Sequence, residues 1–205
     1  YKRQTYKDNI FLTTQDIEAL EDESDPYFHN VYTLGNWGVL QGLVYKKFVE
    51  KFFNVYEISK RPGVVSAFGL DFGYTNDPSA LFCGLVDEKN KEIYVFDELY
   101  ERGLTNMELA PKIQLMGYGK EKIIGDSAVP QTIEELRQLG LSRIEGAYKH
   151  EVMYGIQKLM NFTFIIHPKC RNFINEINNY SYAEKDGESI NKPIDKFNHL
   201  MDAMR

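Results

Sequence analysis

Beyond residue 63 the chain is a succession of apolar runs of strand length and segments with helical spacing. Residues 64–70 (VVSAFGL), 80–86 (ALFCGLV) and 92–99 (EIYVFDEL) predict three consecutive strands. Asp77-Pro78 and the polar run 87–91 (DEKNK) lie between them, so two adjacent hairpins are expected. The pattern then changes. Helices are expected over residues 106–116, 131–139, 151–160, 171–182 and 194–205, and shorter strands over 122–126, 142–147 and 162–167.

Three strands followed by strand–helix alternation predict an α/β protein, a mixed β-sheet flanked by helices on both faces. The order matches the ribonuclease H-like fold. The first sixty residues differ in texture. Residues 9–20 suggest a turn and a short helix, with Thr13 and Asp16 spaced as a capping box. The acidic run 21–25 (EDESD) interrupts it, and an aromatic-rich stretch follows, ending in 45–53 (YKKFVEKFF). That last segment reads as a solvated helix face, with a DNA-facing stripe of Lys46, Lys47 and Lys51 as the alternative. Arg61-Pro62-Gly63 is the sharpest punctuation and divides residues 1–60 from 61–205.

Composition narrows the class. With 43% hydrophobic and 26% charged residues, the 205-residue chain has globular values, and wholesale disorder is excluded. No apolar run approaches the ~20 residues of a membrane span. Cys83 and Cys170 form no CxxC, which excludes a cysteine zinc site and fits a reducing compartment. The chain opens at Tyr1 without a signal-peptide pattern and reads as an excised fragment. The net charge of −6 argues against nucleic-acid binding when taken alone, yet a site built of carboxylates also pulls the sum negative.

Carboxylates end two of the apolar runs. Asp71 closes the first and precedes Phe72-Gly73; Asp126 closes Ile123-Ile124-Gly125 and precedes Ser127-Ala128. Ligands bind at strand ends in α/β sheets, and a neighbouring glycine lets a ligand approach the backbone. A third acid, Asp202, lies on the last expected helix three residues after His199, on the same face. Asp195, a heptad before Asp202, could share it. Carboxylates gathered by a fold cannot all stay ionised without a cation. Hard oxygen ligands select Mg²⁺ or Mn²⁺ over zinc. Two such ions ~3.5–4 Å apart suit phosphoryl transfer, one activating a water and the other stabilising the leaving 3′ oxygen. Asp77 could reach the same metal from its turn, although Asp-Pro is also a routine turn starter. Asp97 and Glu98 read as surface acids. His29, His150 and His167 have no acidic or cysteine partner at ligand spacing. Asp71-Phe72-Gly73 spells a kinase metal motif and Asp71–Thr75 a sugar-kinase phosphate loop, but the partner motifs of both are missing.

Three motifs together carry a resemblance. Gly69-Leu70-Asp71-Phe72-Gly73 with Asp77-Pro78-Ser79-Ala80, then Gly125-Asp126-Ser127-Ala128, then His199-Leu200-Met201-Asp202-Ala203-Met204-Arg205, resemble the C-terminal nuclease domain of tailed-bacteriophage large terminases. The stretches around Gly146–Lys149, Gly155–Leu159 and Asn178–Tyr182 are similar too. So is the N-terminal part, including Gly35–Leu40, which is similar to the tail of the terminase ATPase domain. The resemblance implies a metal-dependent endonuclease that cuts concatemeric double-stranded viral DNA when packaging starts and ends. It implies metal ligation by the acids matching Asp71, Asp126 and Asp202, with His199 beside them. It further implies portal protein and small terminase subunit as partners, and a place in the host bacterial cytoplasm, transiently on the viral procapsid. Val129 departs from the pattern, since an acid often follows the second motif. Lys149 matches a terminase lysine and is the expected DNA contact, with Arg143, Lys120 and Lys122 behind it. A docking module with latent cleavage, or another ribonuclease H-like enzyme such as a resolvase or transposase, are the other readings.

Overall fold

The computed structural model describes residues 42–73, 77–127, 129–148, 151–185 and 188–205, with 184–185 and 188–191 described by backbone alone. The helix expected over residues 9–20, His29, His150 and Lys149 lie outside the described residues. Val44–Arg205 forms one compact unit. Its main sheet contains β1 (Phe48–Glu50), β2 (Val64–Asp71), β3 (Pro78–Asp87), β4 (Glu92–Arg102), β5 (Ile123–Gly125), β6 (Ile144–Gly146) and β7 (Thr163–Ile166). Their order is β1-β7-β4-β3-β2-β5-β6. The hairpins β2–β3 and β3–β4 are antiparallel as expected, while β5 and β6 extend β2 in parallel and β7 and β1 extend β4 in parallel.

β3 lies mid-sheet and is buried along nearly its whole length, which is why its sequence runs apolar without alternating. Helices cover both faces. On one, α2 (Asn106–Leu115) and α3 (Pro130–Gln138) set Leu109, Ile113, Ile133 and Leu136 against Phe68, Leu70 and Leu81. On the other, α4 (Val152–Leu159), α5 (Arg171–Ile177) and α6 (His199–Met204) bury Ile156, Phe173, Ile177, Leu200 and Met201 against Phe82, Ile93 and Val95. A short α1 (Val55–Ser59) precedes β2, capped by the Asn54 side chain. Among the described residues no helix is long and apolar enough to cross a membrane.

Three segments depart from the sequence expectation. Residues 45–53 hold a strand, β1, where a helix face was expected. Pairing Phe48–Glu50 with Phe164–Ile166 covers the open edge of β7, a long-range reward that local spacing does not carry. The helix expected over 171–182 stops at Ile177. Asn178 and Asn179 turn their side-chain amides back onto the carbonyls of Ile174 and Asn175, competing with further helix. The helix expected from residue 194 begins only at His199, because Phe197 adopts a left-handed φ of 57° that no helix can contain. Between them lies an antiparallel pair, β8 (Tyr182–Lys185) and β9 (Glu188–Pro193). Asp195 therefore stands outside the helix, exposed, 3.9 Å from the Lys192 ammonium.

Gly69 sets the approach of α6 to β2. A Cβ at this position would come within 1.7 Å of the Ala203 carbonyl oxygen. Only a residue without a side chain lets the two backbones meet here. Gly69→Ala should therefore push α6 off the sheet and destabilise the fold by about 1–3 kcal/mol, in the range of an overpacked core. Urea unfolding of the two proteins checks this, and equal midpoints would mean that the contact is not fixed.

Candidate active site

The site is assembled by strand order. β2 and β5 are parallel neighbours with Leu70 opposite Gly125, so Asp71, the last residue of β2, and Asp126, just after β5, emerge at the same end of the sheet. The backbone N–H of Asp126 donates to the carbonyl of Leu70 at 3.3 Å, which ties the two strand ends together. α6 crosses at Gly69 and brings Asp202 to the same place. Asp71, Asp126 and Asp202 line one cleft of about 760 Å³, together with Tyr148, Tyr154 and Lys158.

The structure brings His199 to Asp71, with Nδ1 3.1 Å from the Asp71 Oδ2. With Asp71 ionised, that contact is an Nδ1–H donating to the carboxylate, which leaves Nε2 facing Asp77 Oδ1 at 4.0 Å. Asp77, more than half exposed, thus reaches the cluster through the histidine. Asp202 is held from two sides. The Arg205 guanidinium lies 2.8 Å from its Oδ1, and the Asn198 amide donates to its Oδ2 at 3.1 Å. The Arg205 side chain is largely buried, and its stem passes over Gly155 of α4, where a Cβ would meet it at 2.4 Å.

Burial dominates the electrostatics. It pushes the Asp71 carboxyl up to about 6, opposed by the His199 hydrogen bond and reinforced by the negative charges of Asp202 and Asp126. Asp202 is raised too, again by burial, and Arg205, Asn198 and His199 oppose the rise. The oxygen-only donor set fits a hard divalent cation in its chemistry. Among the described residues, no three His, Cys, Asp or Glu side chains are drawn close enough to grip an ion. Asp71 and Asp202 are turned to His199 and Arg205 instead.

Other expected residues fall elsewhere. Arg143 precedes β6 at the end of the β5–β6 pair opposite Asp126, its guanidinium on the carbonyl of Lys120. Lys122 does line the cleft, paired at 2.8 Å with Glu145. Glu98, expected to be a surface acid, caps α5 by accepting from the backbone N–H groups of Asn172 and Phe173, both at 2.8 Å. Asp97 accepts from the Tyr118 hydroxyl at 2.6 Å. His167 packs edge-on against Phe52 and Phe53. Sequence reasoning did not single out Arg205, Asn198 or Lys158. For Arg205 and Asn198 a signal existed in their helical spacing around Asp202, three ahead and four behind.

A mixed sheet of this order, with acids at the ends of β2 and β5 and on a covering helix, is the ribonuclease H-like fold. The family model described as the terminase RNAseH like domain matches residues 71–205, and the chain belongs to that family, the nuclease domain of phage terminase large subunits. The large terminase subunit of Bacillus phage SPP1 is 30% identical over 98% of this chain and 50% of its own length. The PBSX phage terminase large subunit of Bacillus subtilis (strain 168) is 27% identical over the whole of this chain and 49% of its own. The chain thus spans about half the length of these curated relatives. The crystal structure of the SPP1 large terminase nuclease domain with bound Mn superposes with a TM-score of 0.68 at 31% identity, covering 77% of this chain and 91% of that one.

The raised Asp71 carboxyl makes metal-free stability depend on pH. Folded Asp71 binds its proton more tightly than the unfolded chain does, so stability falls as pH rises from 3.8 to about 6 and is level above. Asp71→Asn removes that loss while keeping an acceptor for His199. In chelator it should be more stable than the parent at about pH 7.5, by at most roughly 3 kcal/mol, and show no advantage at about pH 4. Urea melts at both pH values check this. An advantage that is equal at both would assign it to something other than the buried charge.

Proposed function

We propose that this chain is the metal-dependent endonuclease of a viral DNA-packaging terminase. It would cut concatemeric double-stranded DNA when packaging starts and ends, by two-metal phosphodiester hydrolysis. The observation that carries this reading is the convergence of Asp71, Asp126 and Asp202 on one cleft, with Asp71 half-buried among like charges. In this reading those three residues hold Mg²⁺ or Mn²⁺, with Asp77 able to join from its exposed turn. Bound there, the ions would supply positive charge to activate a water and to offset charge on the leaving 3′ oxygen. The protein's own groups do the positioning. His199 orients Asp71 through Nδ1, and Arg205 holds Asp202 and favours its charged form against the burial that raises its proton affinity. The mixture of Glu88 and Glu151 with Lys122 and Lys158 along the walls leaves phosphate attraction to a few lysines. Lys149 is the proposed rim contact. Arg143 keeps a lesser place in this reading, since it precedes β6 at the far end of the strand pair.

The domain division is part of the same proposal. Residues 1–60 would be the tail of an ATPase domain and 61–205 the nuclease, with the end of the tail, through β1, lending an edge strand to the nuclease sheet. Portal protein and small terminase subunit are the proposed motor partners. The host bacterial cytoplasm is the proposed location.

With Mn²⁺ or Mg²⁺ the protein should cleave unrelated linear duplexes, and chelator should stop it. Asp71→Ala, Asp126→Ala and Asp202→Ala should each lower the rate by at least about 100-fold with the fold retained, because each removes a ligand of the reacting centre. Asp77→Ala and His199→Ala should lose less. Cutting should fade steeply with salt, and Lys149→Ala should weaken it alike on every sequence. A folded acid variant cutting at the parental rate, or cleavage in excess chelator, would overturn the assignment. Junction-selective cutting would instead favour a resolvase, and duplex binding without cutting a docking module.

A further inference from the structure

α6 is a six-residue helix, too short to hold its own geometry, yet it carries both His199 and Asp202. What fixes it lies one helix back. Glu176 of α5 is about 1% exposed, and no solvent is needed to explain its carboxylate. One oxygen, Oε2, accepts from the Leu200 backbone N–H at 2.7 Å, and the nearby Met201 N–H also favours the charged form of this carboxylate. The other oxygen, Oε1, accepts from the Tyr100 hydroxyl of β4 at 2.9 Å. The Tyr100 ring in turn meets the His199 ring edge-on, with centroids 6.1 Å apart. Asn198, at the N-cap position of α6, makes no side-chain capping bond, and its amide N–H donates to Asp202. Glu176 therefore does the capping from outside, and it links the sheet to the first turn that presents the two site residues.

We infer that Glu176 is a positioning residue of the cleft, setting the place of His199 and Asp202 through the N-terminal N–H groups of α6. For its effect on metal and catalysis the inference rests on the nuclease reading above. Reach matters more than charge. Glu176→Gln keeps an oxygen for the Leu200 N–H, and its new amide N–H can donate to the Tyr100 hydroxyl, which turns round to accept. Glu176→Asp keeps the charge but draws the carboxylate back by about one C–C bond, ~1.5 Å, beyond hydrogen-bond distance of Leu200.

The test compares the full chain with these two variants. Three readouts are used: Mn²⁺ titration by calorimetry, cleavage kinetics, and the amide resonances of Leu200 and Met201 in metal-free protein. Glu176→Gln should stay within about threefold of the parent in Mn²⁺ affinity and kcat. Glu176→Asp should bind Mn²⁺ about tenfold or more weakly and lose kcat with KM for DNA unchanged. Its Leu200 amide proton should move upfield as the charge-assisted bond is lost. An Asp variant that matches the parent in affinity and in the Leu200 resonance overturns the inference, as does a Gln variant that falls below the Asp variant. Failure of the parent itself to bind Mn²⁺ would overturn the nuclease reading. In that case the Leu200 and Met201 resonances still decide whether Glu176 sets α6.

Discussion

Like charges brought together out of water are the constraint around which this domain is arranged. Parallel pairing of β2 with β5 sends Asp71 and Asp126 out of the same end of the sheet, and α6 adds Asp202. In a half-buried cleft, burial first and the neighbouring carboxylates second raise the proton affinity of such a group, as Asp71 shows. The polar partners around them follow from that. His199 and Arg205 each place a nitrogen at hydrogen-bond distance of a carboxylate, and Asn198 supplies a neutral donor. A domain selected for stability alone would disperse these acids; the proposed cation site accounts for their being kept together and surrounded with donors.

The scaffold meets this constraint with a relay of acids at helix starts, Glu98 half-buried and Glu176 buried. Glu98 within β4 holds the first turn of α5, and Glu176 within α5 holds the first turn of α6. Burial raises the carboxyls of both, while the backbone N–H groups they accept from pull the other way. Two short helices are thereby registered to the sheet without long packing faces of their own. Gly69 completes the seat, because only there can the α6 backbone lie directly on β2.

Much of this was legible in the amino-acid order. The ends of the apolar runs marked Asp71 and Asp126, and helical spacing joined His199 to Asp202. The three-strand beginning and the alternation after it identified the ribonuclease H-like sheet. What was not legible depends on distant partners. β1 is three residues long and exists because β7 has an edge to cover. The β8–β9 pair replaces helix because Asn178, Asn179 and Phe197 end or delay their helices through side-chain bonds and backbone conformation. Glu176 sits on an unremarkable helical face in the sequence, and its role appears only when Leu200 and Tyr100 arrive from elsewhere in the chain.

The central claim is that the cleft between the ends of β2 and β5 is a divalent-cation site made by Asp71, Asp126 and Asp202. A crystal structure of this protein soaked in Mn²⁺, read by anomalous difference, tests it most directly. The account predicts an ion bound by Asp71 together with at least one of Asp126 and Asp202. A well-ordered cleft without an anomalous peak at saturating Mn²⁺, or ions bound only elsewhere on the surface, would contradict it.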